Sequence, residues 1–169
     1  MRSDEVVLFA VFESTARDAN RLIATAFSRR QLNRGEVSLA RLAYTTRATF
    51  DQRVVSALEN RQGTFLGVAC ANVRALRRIR FEVPGTNQTI TRRAVCVLDK
   101  VSPLDHNGHA ALEYADFQGQ LTERQRSACR QLIHADLADA FSDIISLDQV
   151  LRMPPISIWR KIARLFWRK

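Results

Sequence analysis

Val6, Val7, Leu8, Phe9, Val11 and Phe12 form an apolar run rich in β-branched and aromatic side chains, which predicts a buried strand. A helix beginning at Ser3 is the alternative the same run allows. From Ser14 the period changes: Ala16, Ala19, Leu22, Ile23, Ala26, Phe27 and Arg30 recur at helical spacing, with Ser14 as N-cap and Asn33 to Gly35 as the stop. Ser38 can cap a further helical segment through Leu39, Leu42 and Ala43. Thr49 with Gln52 reads as a capping box for Phe50, Val54, Ala57 and Leu58, closed by Gly63.

Thr64 to Ala71 is short, apolar and interrupted by Gly67, which predicts an interior strand with a close neighbour at the glycine. Ile79, Phe81 and Val83 then alternate with Arg78, Arg80 and Glu82, and Pro84, Gly85, Thr86 and Asn87 make a turn before Ile90 to Val97. Asn107 and Gly108 mark a second turn, from which His109 to Tyr114 can pair back. Thr122 with Gln125 begins a helix through Ala128, Cys129, Leu132, Ile133, Leu137, Phe141 and Ile145, and Pro154 and Pro155 divide off a terminal segment.

The predicted fold is a single α+β domain over residues 1–150. A mainly antiparallel sheet, with hairpins around 79–97 and 95–114, is covered by helices near 15–32, 39–61 and 123–145. Residues 146–155 read as a linker, and residues 151–169 as a C-terminal basic amphipathic helix appended to the domain. The 169 residues, 46% apolar and 25% charged, suit one globular domain and argue against disorder or a collagen-like repeat. Three cysteines, Cys70, Cys96 and Cys129, are too few and odd in number for a disulfide scaffold and suggest a reducing compartment. Val6 to Phe12 follows Asp4 and Glu5 rather than a cationic segment, so no signal peptide is expected. No stretch approaches the ~20 apolar residues a spanning helix needs. The expected location is cytoplasmic, with peripheral attachment to the inner face of a membrane left open.

Charge changes the picture more than composition does. The net charge is +9, and 23 of the 26 basic residues are arginine. Residues 72–100 carry +5, residues 101–151 carry −5 and residues 152–169 carry +6, so two short basic regions flank an acidic one. The acidic stretch could serve as their intramolecular counterpart. Otherwise the basic regions call for an anionic partner, since guanidinium forms bidentate contacts to phosphate or carboxylate.

The first basic region holds Arg74, Arg77, Arg78 and Arg80, joined after the turn by Arg92 and Arg93. In a hairpin Arg78 and Arg80 share a strand face, and Arg92 or Arg93 contributes from the partner strand. The second is the terminal segment, which separates around a helical wheel. Ile158, Trp159, Ile162, Ala163, Leu165 and Phe166 fall on one side, and Arg160, Lys161, Arg164 and Arg168 on the other. Trp159, Ile162, Leu165 and Phe166 would meet a membrane, a partner protein, a second copy of the chain or the protein's own core.

Catalytic candidates are sparse. Asp105, His106, Asn107, Gly108 and His109 form a histidine-bearing turn, with Cys96 and Asp99 before it and His134 and Asp136 after it. The spacing matches no zinc pattern, and Asp, Asn and Gly are what a turn requires in any case, so neither metal nor cofactor is expected. Cys96 with His106 or His109 could form a nucleophilic pair if the hairpin brought them together. Asp136, Asp139 and Asp143 recur at helical spacing as an acidic stripe. Gly-rich phosphate loops and nucleophile elbows are absent. The leading expectation is a non-enzymatic binding or adaptor protein engaging an anionic partner, with nucleic acid first and an anionic membrane surface second. A membrane or protein interaction module using the terminal helix, and a small Cys/His- or metal-dependent enzyme, are the alternatives.

Overall fold

The computed structural model describes residues 2–17, 20–27, 29–34, 36–52, 63–83, 90–100, 108–115 and 122–152, with backbone alone at 17, 29, 81–83, 90–92 and 123–129. Five strands form the main sheet: β1 (Val6–Phe12), β4 (Val37–Arg41), β5 (Phe65–Asn72), β8 (Val95–Asp99) and β9 (His109–Tyr114). Their order is β5-β1-β4-β9-β8, and every neighbouring pair is antiparallel. Two small ribbons accompany it, β2 (Ala16–Arg17) with β3 (Arg21–Leu22) and β6 (Arg80–Val83) with β7 (Ile90–Arg93). The helices are α1 (Arg29–Arg34), α2 (47–52), α3 (Val73–Arg78), α4 (Glu123–Ala140) and α5 (Leu147–Arg152).

Alternation along β1 sends Val7 and Val11 to one face and Val6 and Leu8 to the other, and both faces are buried. On the first face Val7, Val11, Val37, Leu39, Val95, Val97 and Leu112 meet Ile133 and Leu137 of α4. Phe27 joins Phe9 and Phe141 there, with ring centroids 5.2 and 5.6 Å away. The second face, over β5, β1 and β4, carries Leu8, Ala40, Val68 and Cys70 under Phe50 of α2 and Leu147 and Val150 of α5. Each of the Val, Leu, Ile and Phe side chains among them contributes about 1.5–3 kcal/mol on burial.

A buried arginine ties three strand ends together. Arg41 Nε and Nη2 donate to Glu5 Oε2 and Oε1 at 2.9 and 3.0 Å, and its Nη1 donates to Asp99 Oδ1 at 2.9 Å. Its guanidinium also lies 4.5 Å from the centre of the Tyr44 ring, a cation–π contact. Burial pushes the Glu5 carboxyl up, but the Arg41 hydrogen bond, the Arg2 backbone N–H and the Arg41 charge outweigh it and hold the group below the usual carboxylate range.

The α+β class, the antiparallel sheet and the strands at 6–12 and 109–114 match expectation. The helix expected over 15–32 does not form: this stretch holds the β2–β3 ribbon, a 3-10 turn at Ala24–Ala26 and the short α1. Thr15 Oγ1 accepts the Phe12 N–H at 3.0 Å and donates to the Phe12 carbonyl at 2.9 Å, and Ile23 N–H bonds Thr15 O, which closes a tight turn before a helix can propagate. Leu22, Ala26, Phe27 and Leu32 are still buried, but by an irregular path.

Nor do residues 37–41 begin a helix. They form β4, the central strand, because Val37, Leu39 and Ala40 are buried between partners on both sides. The cap of α2 is Thr46 rather than Thr49, since Thr46 Oγ1 accepts the Thr49 N–H and Thr49 Oγ1 accepts the Thr46 N–H.

β5 is an edge strand, not an interior one, and its outer rim is covered by residues 142–145. Val68 N–H bonds Ile145 O at 2.9 Å, and Ile145 N–H returns to Val68 O at 3.0 Å. Gly67 has φ +151°, and a Cβ there would stand 2.6 Å from the Ile145 carbonyl oxygen. The close neighbour expected at this glycine is therefore real.

α4 accordingly ends at Ala140 rather than 145. Within the expected linker lies α5, started by Ser146, whose Oγ accepts the Gln149 N–H at 3.2 Å. The strand expected over 90–97 divides at the buried Ala94, with β7 pairing in the ribbon and β8 in the main sheet.

Candidate functional site

The first basic region is built outward from β5. Asn72 ends the strand and caps α3, its Oδ1 accepting the Arg74 N–H at 2.7 Å. Val73 and Leu76 are buried, as is Ile79 just beyond, and they seat the helix on the core. The opposite side is then left to Arg74 and Arg78, one helical turn apart and both exposed, with Arg77 half-buried. Arg78 therefore projects from a helix, not from the strand face expected for it, because the burial of residues 73, 76 and 79 follows a period of three.

From Ile79 the chain enters the ribbon, and the Ala94 N–H donates to the Ile79 carbonyl at 2.9 Å to fix its root. The register sets Arg80 directly opposite Arg93, with Glu82 opposite Thr91 one step along the same face. Arg92 stands opposite Phe81 and so belongs to the alternate face. Arg93 is thus the partner-strand arginine that shares a face with Arg80. Arg80 Nη1 turns back to donate to the Arg77 carbonyl and, at 3.2 Å, to that of Ile79, covering carbonyls at the end of α3.

Arg74 and Arg78 on α3, and Arg80 and Arg93 at the root of the ribbon, are all exposed cations. Among the described residues no acid pairs with any of the four. Two acids of the 101–151 stretch pair elsewhere: Asp143 with Arg21 at 3.2 Å and Asp148 with Arg47 at 2.7 Å. Two unit charges ~6 Å apart in water repel by about 0.7 kcal/mol, which a folded domain tolerates and an anion would reverse.

The nucleophile candidates are not drawn together. Cys96 lies opposite Glu113, whereas His109 lies opposite Ala40 and bonds Lys100 through its backbone carbonyl. Four residues of strand, about 13 Å, separate the two side-chain positions on that sheet face. His109 Nε2 instead meets Ser38 Oγ at 2.9 Å. His106 lies outside the described residues. Cys70 is buried and its thiol is pushed up to about 12 by burial, against the hydrogen bond with Ser142. Among the described residues no three His, Cys, Asp or Glu side chains converge to hold a metal ion.

A second titratable cluster escaped the sequence reading. Tyr114, at the end of β9, hydrogen-bonds His134 Nε2 of α4, the two rings lying parallel with centroids 6.0 Å apart. The buried Arg130, one turn earlier on α4, holds its guanidinium 5.8 Å from the Tyr114 ring centre. Burial first, and the Arg130 charge second, push the His134 imidazole below its ordinary value, which favours the neutral ring beside the Tyr114 hydroxyl. The available signal was the four-residue spacing of Arg130 and His134, but nothing local points to Tyr114.

The terminal candidates Trp159, Arg160, Lys161, Ile162, Arg164, Leu165, Phe166 and Arg168 lie outside the described residues. Among the described residues no helix is long and apolar enough to cross a membrane. No protein-family model matches the chain, and no curated protein and no solved structure matches it either.

Proposed function

We propose that the protein is a non-catalytic binding module for a polyanion, nucleic acid foremost, engaged through the exposed arginines of α3 and the β6–β7 ribbon. The observation that carries this reading is the exposed set Arg74, Arg78, Arg80 and Arg93, which no described acid neutralises although acids 143 and 148 are paired elsewhere. Arginine is the side chain best suited to phosphate, because its planar fork gives paired hydrogen bonds that a lysine point charge does not. The terminal segment would add Arg160, Lys161, Arg164 and Arg168 as a second cationic contact if it takes up the amphipathic helix its pattern suggests. The free thiols of Cys70 and Cys96 suit a reducing, cytoplasmic setting for this activity.

Salt titration tests the reading. With two to four phosphates neutralised by the α3 and ribbon arginines, the log of affinity for mixed-sequence DNA against the log of salt should slope at roughly −1.8 to −3.6, steeper if the terminal cations also engage. Arg74→Ala combined with Arg78→Ala should flatten that slope by about 1.8. Absent binding, or binding indifferent to salt, refutes the proposal.

A further inference from the structure

The arginine-bearing ribbon has a shape as well as a charge. Building on the nucleic-acid reading, we infer that its partner is double-helical DNA in the B form, with the Arg80 and Arg93 face of the β6–β7 ribbon in the major groove and Arg74 and Arg78 on flanking phosphates. The ribbon is two strands wide, and strands stand about 4.8 Å apart. A B-form major groove, about 12 Å across, admits such a ribbon. The major groove of an A-form RNA duplex is deep and too narrow for side chains to read.

The ribbon is also held so that it can present that face. It is rooted by the Ala94-to-Ile79 hydrogen bond, and α4 packs against β6, while Arg80 and Arg93 remain exposed. The two arginines then divide their work. Arg80 is partly spent on the Arg77 and Ile79 carbonyls, which fixes the ribbon to α3, so it is a positioning residue. Arg93 makes no such contact among the described residues, and its fork is available to donate to the two acceptors on the guanine edge, O6 and N7. Arg74 and Arg78, about 6 Å apart along α3, can reach phosphates beside the groove.

The test is a competition anisotropy titration of the full chain against three probes of one mixed sequence: a DNA duplex of about 20 base pairs, the matching RNA duplex and the single DNA strand. DNA duplex should bind at least about tenfold more tightly than either other probe. Arg93→Ala, and Arg93→Lys, which keeps the charge but loses the fork, should bring the two duplexes close to parity. Arg78→Ala should weaken both duplexes by a common factor and reduce the DNA salt slope by about 0.9. Thermal melts followed by circular dichroism confirm that each surface variant is folded. If RNA duplex or single strand binds as tightly as DNA duplex, or if Arg93→Ala weakens both duplexes equally, the groove placement is overturned while nucleic-acid binding stands. If none of the three probes binds, the functional reading falls with it.

Discussion

Replacing Arg41 by methionine should be among the most damaging single changes to the fold. The substitution keeps most of the side-chain length but removes the charge that Glu5 and Asp99 share. The Glu5 side chain is only 13% exposed, so its carboxylate would be left charged and unpaired in a poorly solvated place. Removing one partner of such a pair costs about 3–5 kcal/mol. Asp99, at 41% exposure, regains water and adds little.

The pH dependence separates this cause from lost packing. In the wild type the Glu5 carboxyl is held low, so its stabilising contribution is present at neutral pH and lost as pH falls through its folded value, below the usual carboxylate range. In Arg41→Met burial, the largest of the causes, still raises the carboxyl, while both Arg41 contributions that lowered it are gone and the Arg2 N–H remains. The group therefore sits higher than in the wild type, and protonation relieves the variant. Its deficit should therefore shrink between pH 7 and pH 4. Adding Glu5→Gln to Arg41→Met should recover at least about 1 kcal/mol at pH 7. Urea unfolding followed by circular dichroism at both pH values measures all three quantities. A deficit below about 1 kcal/mol at pH 7, or one that is the same at pH 4, would refute the reasoning.

Gly67→Ala combines a positive φ with a Cβ placed 2.6 Å from a backbone oxygen that cannot move without breaking the Val68–Ile145 bridge. Urea unfolding should show a loss of about 2 kcal/mol or more. His134 should titrate below the ordinary imidazole value by NMR, and Arg130→Gln should bring its midpoint up. Because its folded value is depressed, stability should fall as pH drops from the unfolded imidazole value toward the folded one, and His134→Gln should remove that part of the slope.

Elements marked by a dense apolar run or a clear helical period were legible from the chain. The run at Val6–Phe12, the strand at His109–Tyr114, the long helix starting at Glu123 and the close approach at Gly67 all follow from local pattern. So does the presence of the arginine cluster, although not its form. The misreadings share a cause: the spacing of Ala16 through Arg30 is compatible with a helix, and so is that of Ser38 through Ala43, but local propensity amounts to only tenths of a kcal/mol per residue. Two neighbouring strands, or a turn closed by the Thr15 hydroxyl, readily outweigh it.

Pattern along the chain settled which residues must leave water and which must stay in it, because burial of apolar surface depends on side-chain chemistry and period alone. It could not settle who meets whom. Arg41 finds Glu5 36 residues back and Asp99 58 residues ahead, residues 142–145 seal the rim of β5, and Arg80 faces Arg93 across a register fixed by pairing. Those choices depend on long-range geometry. A shift of one residue in any strand would send every side chain to the opposite face, and it is the packing of both faces that forbids it.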